Sequence, residues 1–198
     1  MNKIFKIRCS AIGQIMANSR TKGQLSKTAQ SYAQEWVKEQ IYGRRKDISS
    51  KYMTKGNIVE DESIDFLAEA QDYGFLVKNE QHFENDFLTG TPDVITKDEV
   101  IDMKNSWDCF TFPLFAKELP NKDYWWQLQG YMALTGLSKA KLVYTLMNTP
   151  EELGSDNYDD IDIKYRIKSF EVARDEEAIE QIYHRVSEIR EYINKLIK

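Results

Sequence analysis

Asp93 and Asp102 stand nine residues apart in β-type sequence, and Lys104 follows the second acid by two. Strand side chains alternate faces, so within Val100-Ile101-Asp102-Met103-Lys104 the acid and the lysine share one face while Ile101 and Met103 share the other. A turn at Lys97-Asp98-Glu99 returns the chain and sets Asp93, in Thr91-Pro92-Asp93-Val94-Ile95, alongside Asp102. Two carboxylates so placed repel each other unless a cation lies between them. Hard oxygens suit Mg²⁺ or Mn²⁺, and the adjacent ammonium suits a phosphate oxygen or an attacking water. With 30% of residues charged, an acid-x-Lys triplet arises by chance, so it needs support from elsewhere in the chain.

Glu60 supplies some. On a helix from about Ser50 to Tyr73 it shares the stripe Met53, Gly56, Glu60, Ile64 and Leu67, and an inward carboxylate calls for a partner such as a metal. Asp61 and Glu62 point elsewhere and are read as solvated. Gly56, one turn earlier, allows close approach of DNA or of another backbone. Gln127 and Tyr131, four apart on a helix, present an amide and a phenol on one face, within reach of a phosphate or of the lysine. Trp125 and Trp126 read as core, whereas Trp107 and Phe110, just past the acid-x-Lys strand, are the better stacking or wedge candidates.

The elements that must position these groups follow from caps and periodicity. Ser10 caps a short helix over 11–18, and Ser26 caps one running to Tyr42, stopped by Gly43. Residues 75–78, the segment around Phe83, 87–95 and 100–103 read as strands. Helices are expected over 110–118, capped by Asp108, and from Asp123 to Leu134, ended by Gly136. Strands follow over 141–147 and 161–172, separated by an acidic loop. Over 175–198 apolar residues at Ile179, Ile182, Val186, Ile189, Ile193 and Leu196 mark a final amphipathic helix, packed on its own sheet rather than in a coiled coil. The order implies an α/β (α+β) chain of one domain, residues 1–198, with a central mixed sheet flanked by helices.

Composition bounds the rest. The 198 residues are 41% hydrophobic without a membrane-length apolar run, and the first residues lead into alternating polar positions rather than a signal core, so a cytoplasmic location is expected. Two cysteines, Cys9 and Cys109, read as buried thiols and are too few for a Cys₄ site; two histidines leave little room for histidine-based sites. Net charge is −5, yet residues 1–60 hold 12 Lys and Arg against 4 Asp and Glu. That basic segment offers a phosphate-binding face through Arg20, Lys22 and Lys27, and through Arg44, Arg45, Lys46, Lys51 and Lys55.

Four motifs in order, GxxxE at Gly56–Glu60, PD at Pro92-Asp93, DxK at Asp102–Lys104 and QxxxY at Gln127–Tyr131, resemble the PD-(D/E)xK nucleases. The branch is that of lambda exonuclease, YqaJ-type viral recombinases and RecB-like domains. The resemblance implies a restriction-endonuclease-like core. It makes Glu60, Asp93, Asp102 and the Met103 carbonyl ligands of a pair of Mg²⁺ (or Mn²⁺) ions, Lys104 the group that positions or activates water, and Gln127 and Tyr131 supports. It further implies a phage recombination exonuclease, digesting duplex DNA from ends 5′ to 3′, working as a homo-oligomeric ring with a single-strand annealing partner. The second acid is Asp where Glu is frequent in lambda-like members, and no 5′-phosphate anchor can be placed. A Cas4-like nuclease is disfavoured by the two cysteines, and a non-catalytic DNA-binding module by the presence of every motif residue.

Overall fold

The computed structural model describes residues 3–21, 23–46 and 49–198; Met1, Asn2 and Lys22 of the residues read above lie outside it. In chain order the elements are β1 (Ile7–Arg8), a 3₁₀ turn (Cys9–Ala11), α1 (Ile12–Met16), α2 (Lys27–Tyr42), α3 (Lys51–Ile58) and α4 (Glu60–Ala70). Then come β2 (Phe83–Glu84), β3 (Leu88–Gly90), β4 (Val94–Ile95), β5 (Val100–Asn105) and α5 (Lys122–Thr135). The chain closes with β6 (Lys139–Thr145), a 3₁₀ turn (Ile163–Tyr165), β7 (Ile167–Ala173) and α6 (Glu176–Leu196). Of the helix caps read from sequence, Ser26 Oγ accepts from Ala29 N, whereas Ser10 caps no helix, because α1 begins only after Ala11. α5 is capped by Asn121, whose Oδ1 accepts from Asp123 N, and Ser50 Oγ and Asp175 Oδ1 cap α3 and α6 by accepting from Met53 N and Ala178 N. Gly43 and Gly136 close α2 and α5 at φ of 62° and 78°, a left-handed turn that glycine adopts without a Cβ clash.

Instead of one sheet there are two. A mixed four-stranded sheet runs β4-β5-β6-β7, and a small three-stranded one runs β1-β3-β2. The expected single strand over 87–95 is therefore divided, β3 belonging to one sheet and β4 to the other. Thr91-Pro92-Asp93 is the crossing, where Pro92 has no N–H to continue a ladder. Residues 75–78 contribute only a bridge from Lys78 to Val94. The helix expected over 110–118 is a series of turns, because Asp108 caps one turn and Pro113 then interrupts it. The helix expected over 50–73 breaks at Val59, so the stripe does not run through. Ile64 and Leu67 are buried, whereas Met53 is exposed.

Alternation along β5 divides the core as expected. Ile101 and Met103 pack with Val94, Val143, Ile64 and Leu67 beneath α4, while Val100 joins the larger core of α1, α2, α5 and α6. Five of the six apolar residues noted on α6, all but Leu196, are buried, and four of them (Ile182, Val186, Ile189 and Ile193) lie in that core, each worth roughly 1.5–3 kcal/mol of transfer free energy. Among the described residues no helix is long and apolar enough to cross a membrane.

α5 approaches the N-terminal turn closely at Gly130, where an added Cβ would stand 2.5 Å from Ile12 Cδ1 and 2.9 Å from Cys9 Sγ. Gly130→Ala is expected to cost about 1–3 kcal/mol by overpacking. Urea unfolding measures it, and an unchanged midpoint would mean that the contact yields freely.

Candidate active site

The register places the two acids. β4 and β5 pair antiparallel with Val94 opposite Ile101, and continuing that register one residue sets Asp93 across from Asp102. Asp93 Oδ2 accepts a 2.7 Å hydrogen bond from the Met103 N–H, which ties the crossing to β5. Asp102 is 1% exposed. Its Oδ1 accepts from Gln127 Nε2 at 2.8 Å, whereas Oδ2 receives no hydrogen bond and lies 2.5 Å from the Lys104 ammonium. The same ammonium reaches the Met103 carbonyl at 3.3 Å and stands 5.0 Å over the Tyr124 ring. Lys104 is thus the cation that Asp102 and the Met103 carbonyl share.

Gln127 and Tyr131 explain the spacing of their motif. Gln127 Nε2 also donates to Tyr131 Oη at 3.1 Å, and Tyr131 donates to the Thr91 carbonyl at 3.3 Å. One face of α5 therefore holds Asp102 directly and, through Thr91, the backbone two residues before Asp93. Both act on the acids rather than on the lysine.

The electrostatics show a surplus of buried negative charge. Burial and the neighbouring Asp102 push the Asp93 carboxyl up to about 7, against the pull of Lys104 and of the Met103 N–H. Burial works against the Lys104 charge, yet Asp102 and Asp93 together hold it above the ordinary lysine range. Lys104 is consequently a fixed cation at neutral pH, suited to orienting a phosphate or water and not to removing a proton. Burial, followed by the charges of Asp102 and Asp93, raises Tyr131, which stays a protonated donor.

Glu60 heads α4 and lies near enough to add to the charge felt by Asp93, but its carboxylate pairs with Lys78 at 3.0 Å. Lys78 also holds the exposed Asp61 at 2.9 Å. Among the described residues no three acidic, histidine or cysteine side chains close on one point. Asp102 Oδ2, which only the Lys104 ammonium engages, the Met103 carbonyl and the raised Asp93 nonetheless form a hard-oxygen set with one cation for two carboxyl groups, which fits Mg²⁺ or Mn²⁺. Lys78 engages Glu60 through Oε2, so a metal would share the Glu60 carboxylate with Lys78 or displace it.

Of the basic residues, Arg44, Arg45, Lys46 and Lys51 are exposed, as are Arg20 and Lys27. Lys46 is engaged by Glu35 at 3.1 Å. Lys55 does not belong on a DNA face: it is 0% exposed, and its ammonium donates to the Trp107 carbonyl at 2.7 Å and to Thr149 Oγ1 at 3.0 Å. Sequence reading missed this buried lysine, and also Lys78, Asn105 and Tyr124, because their partners are distant in the chain. Cys9 is buried as expected, but Cys109 is exposed.

A mixed sheet that sets two acids on antiparallel neighbours, with a lysine on the same face and a supporting Gln-Tyr helix, defines a PD-(D/E)xK nuclease. No protein-family model matches the chain, and no curated protein does. A phage-related exonuclease from Haemophilus somnus 129PT is 31% identical, with a TM-score of 0.89 over 98% of this chain and 96% of that one. The chain belongs to this family of phage-related exonucleases. An alkaline exonuclease from Laribacter hongkongensis shares the fold at 16% identity and a TM-score of 0.73, over 97% of this chain and 89% of that one. The same enzyme in complex with dAMP superposes with a TM-score of 0.74.

Proposed function

We propose that the chain is a Mg²⁺-dependent exonuclease that hydrolyses one strand of duplex DNA from an end, 5′ to 3′, and leaves the other strand for annealing. The pairing of half-buried Asp93 with buried Asp102, with Lys104 on Asp102 Oδ2, carries this proposal. Mg²⁺ held by Asp93, Asp102, the Met103 carbonyl and Glu60 would supply Lewis-acid charge to the phosphodiester. Gln127 fixes Asp102 through Oδ1 and leaves Oδ2 to Lys104, and the Met103 N–H fixes Asp93. Lys104 orients the nucleophilic water or a phosphate oxygen, and the exposed Arg44, Arg45 and Lys51 neutralise flanking phosphates. A ring of copies around the DNA, an annealing partner and a second Mg²⁺ belong to the same proposal.

Duplex labelled separately at each 5′ end and digested with Mg²⁺ tests it. Release of labelled mononucleotides before internal fragments is expected; cuts in closed circular DNA, or equal activity in EDTA, would overturn it.

The Asp93 carboxyl adds a pH dependence. In the folded protein it keeps its proton up to about pH 7, and in the unfolded chain only to about pH 4. The folded state therefore binds more protons between these values, and this group's contribution to stability falls as pH rises through that window. Asp93 must lose that proton to hold Mg²⁺, so apparent affinity tightens with pH, roughly tenfold per unit below 7. Thermal shift by Mg²⁺ should accordingly be larger at about pH 8 than at about pH 6. Equal shifts would remove Asp93 from the ligand set.

A further inference from the structure

The segment leaving β5 carries an aromatic and cationic cluster that hydrolysis itself does not use. The Trp107 ring meets the Tyr52 ring edge-on at 5.1 Å between centroids, and the Lys51 ammonium lies 4.7 Å over the Trp107 ring. The cluster is fastened from within. A buried ammonium is costly unless hydrogen-bonded, and the two bonds of Lys55 fix the backbone beneath Trp107 to α3 and to Thr149. Asn105 adds a second tie, donating to the Gly56 carbonyl at 3.3 Å and accepting from Thr145 Oγ1 at 2.5 Å. Directly after Trp107, Asp108 Oδ1 accepts from Phe110 N and Thr111 N, and Phe112 turns down onto Leu146 and Tyr158. This anchored turn leaves Phe110 94% exposed, and Tyr52 is 56% exposed.

We propose that Tyr52, Trp107 and Phe110, together with Lys51, form a platform on which unpaired nucleobases of the DNA stack. The platform rests on the nuclease function proposed above and extends the site away from the scissile phosphate. Aromatic rings interleaved with lysine match single-stranded nucleic acid, because every base has a face to stack and every linkage a charge to neutralise. The occupant follows from charge and continuity. Lys51 belongs to the basic segment of 12 Lys and Arg against 4 Asp and Glu, which complements a polyanion. Continuity comes from the chain: Tyr52 stands on α3, the helix that leads directly into Glu60 at the head of α4, and Trp107 and Phe110 follow β5, the strand of Asp102 and Lys104.

The test uses a short duplex with a single-stranded extension carrying aminopurine, bound in Ca²⁺ in place of Mg²⁺. Wild type is expected to quench the aminopurine. Phe110→Ala and Tyr52→Ala should each relieve quenching and weaken binding of the extended duplex by about tenfold, with the affinity for blunt duplex changed less than about twofold. Under Mg²⁺ the KM for extended duplex should rise while kcat is kept. Phe110 packs against nothing that a truncation could unfold, so its variant stays informative. Unchanged quenching and affinity in both variants would overturn the platform. So would an altered sedimentation mass of Phe110→Ala with DNA binding intact, which would assign the face to contact between copies. Wild type that stacks the base but cleaves no linear duplex would instead refute the nuclease proposal, because the fluorescence readout needs no cleavage.

Discussion

Asp102→Asn is expected to lower cleavage of linear duplex by about a thousandfold or more, equivalent to roughly 4 kcal/mol of transition-state stabilisation, while the fold keeps its stability. The amide matches the carboxylate in size, and its oxygen still accepts the Gln127 hydrogen bond made to Oδ1. What disappears is the charge on Oδ2, the atom that faces Lys104. Its removal also relieves the repulsion that helps to raise Asp93, which offsets the lost ion pair. A digestion time course beside a thermal melt separates the two effects. Cleavage within tenfold of wild type would dismiss Asp102 as a ligand, and a collapsed melt would make it a structural residue.

Lys104→Met is expected to lose both rate and stability. The methionine keeps an apolar stem beside Tyr124 but removes the ammonium that sits on Asp102 Oδ2 and the Met103 carbonyl. Without a metal, Asp102 and Asp93 are then left facing each other, and breaking a buried pair costs several kcal/mol. The side chain of Lys104 is 24% exposed, so the cost here is nearer about 2–3 kcal/mol. Added Mg²⁺ should restore the melting temperature without restoring the rate, which falls about a hundredfold to a thousandfold for want of the positioned ammonium. Recovery of both would make Lys104 a counter-ion alone. The variant pair is diagnostic because both lose cleavage while only Lys104→Met loses stability.

Local rules made much of this arrangement legible. Alternation along β5 placed Asp102 and Lys104 on one face, helical spacing joined Gln127 to Tyr131, and caps at Ser26 and Gly43 bounded α2. Each depends on residues within a few positions of one another. Periodicity failed where an element was interrupted. The break at Val59 separated Met53 from the buried side of α4, and the crossing at Thr91-Pro92-Asp93 passed between two sheets where one strand was expected. In the segment 108–118 a good cap was not followed by enough uninterrupted helix to propagate.

The order of residues along the chain sets the chemical types of the site, two acids, a lysine and a Gln-Tyr pair, and the faces on which β5 and α5 present them. Which charges are spent inside the protein depends on how distant elements pack together. Lys55, read as a DNA contact, is buried against the Trp107 carbonyl, and Glu60, read as a free ligand, is held by Lys78. The physical reason is that the direction of a side chain on its own element follows from local geometry, whereas the environment of a charge depends on residues tens of positions away.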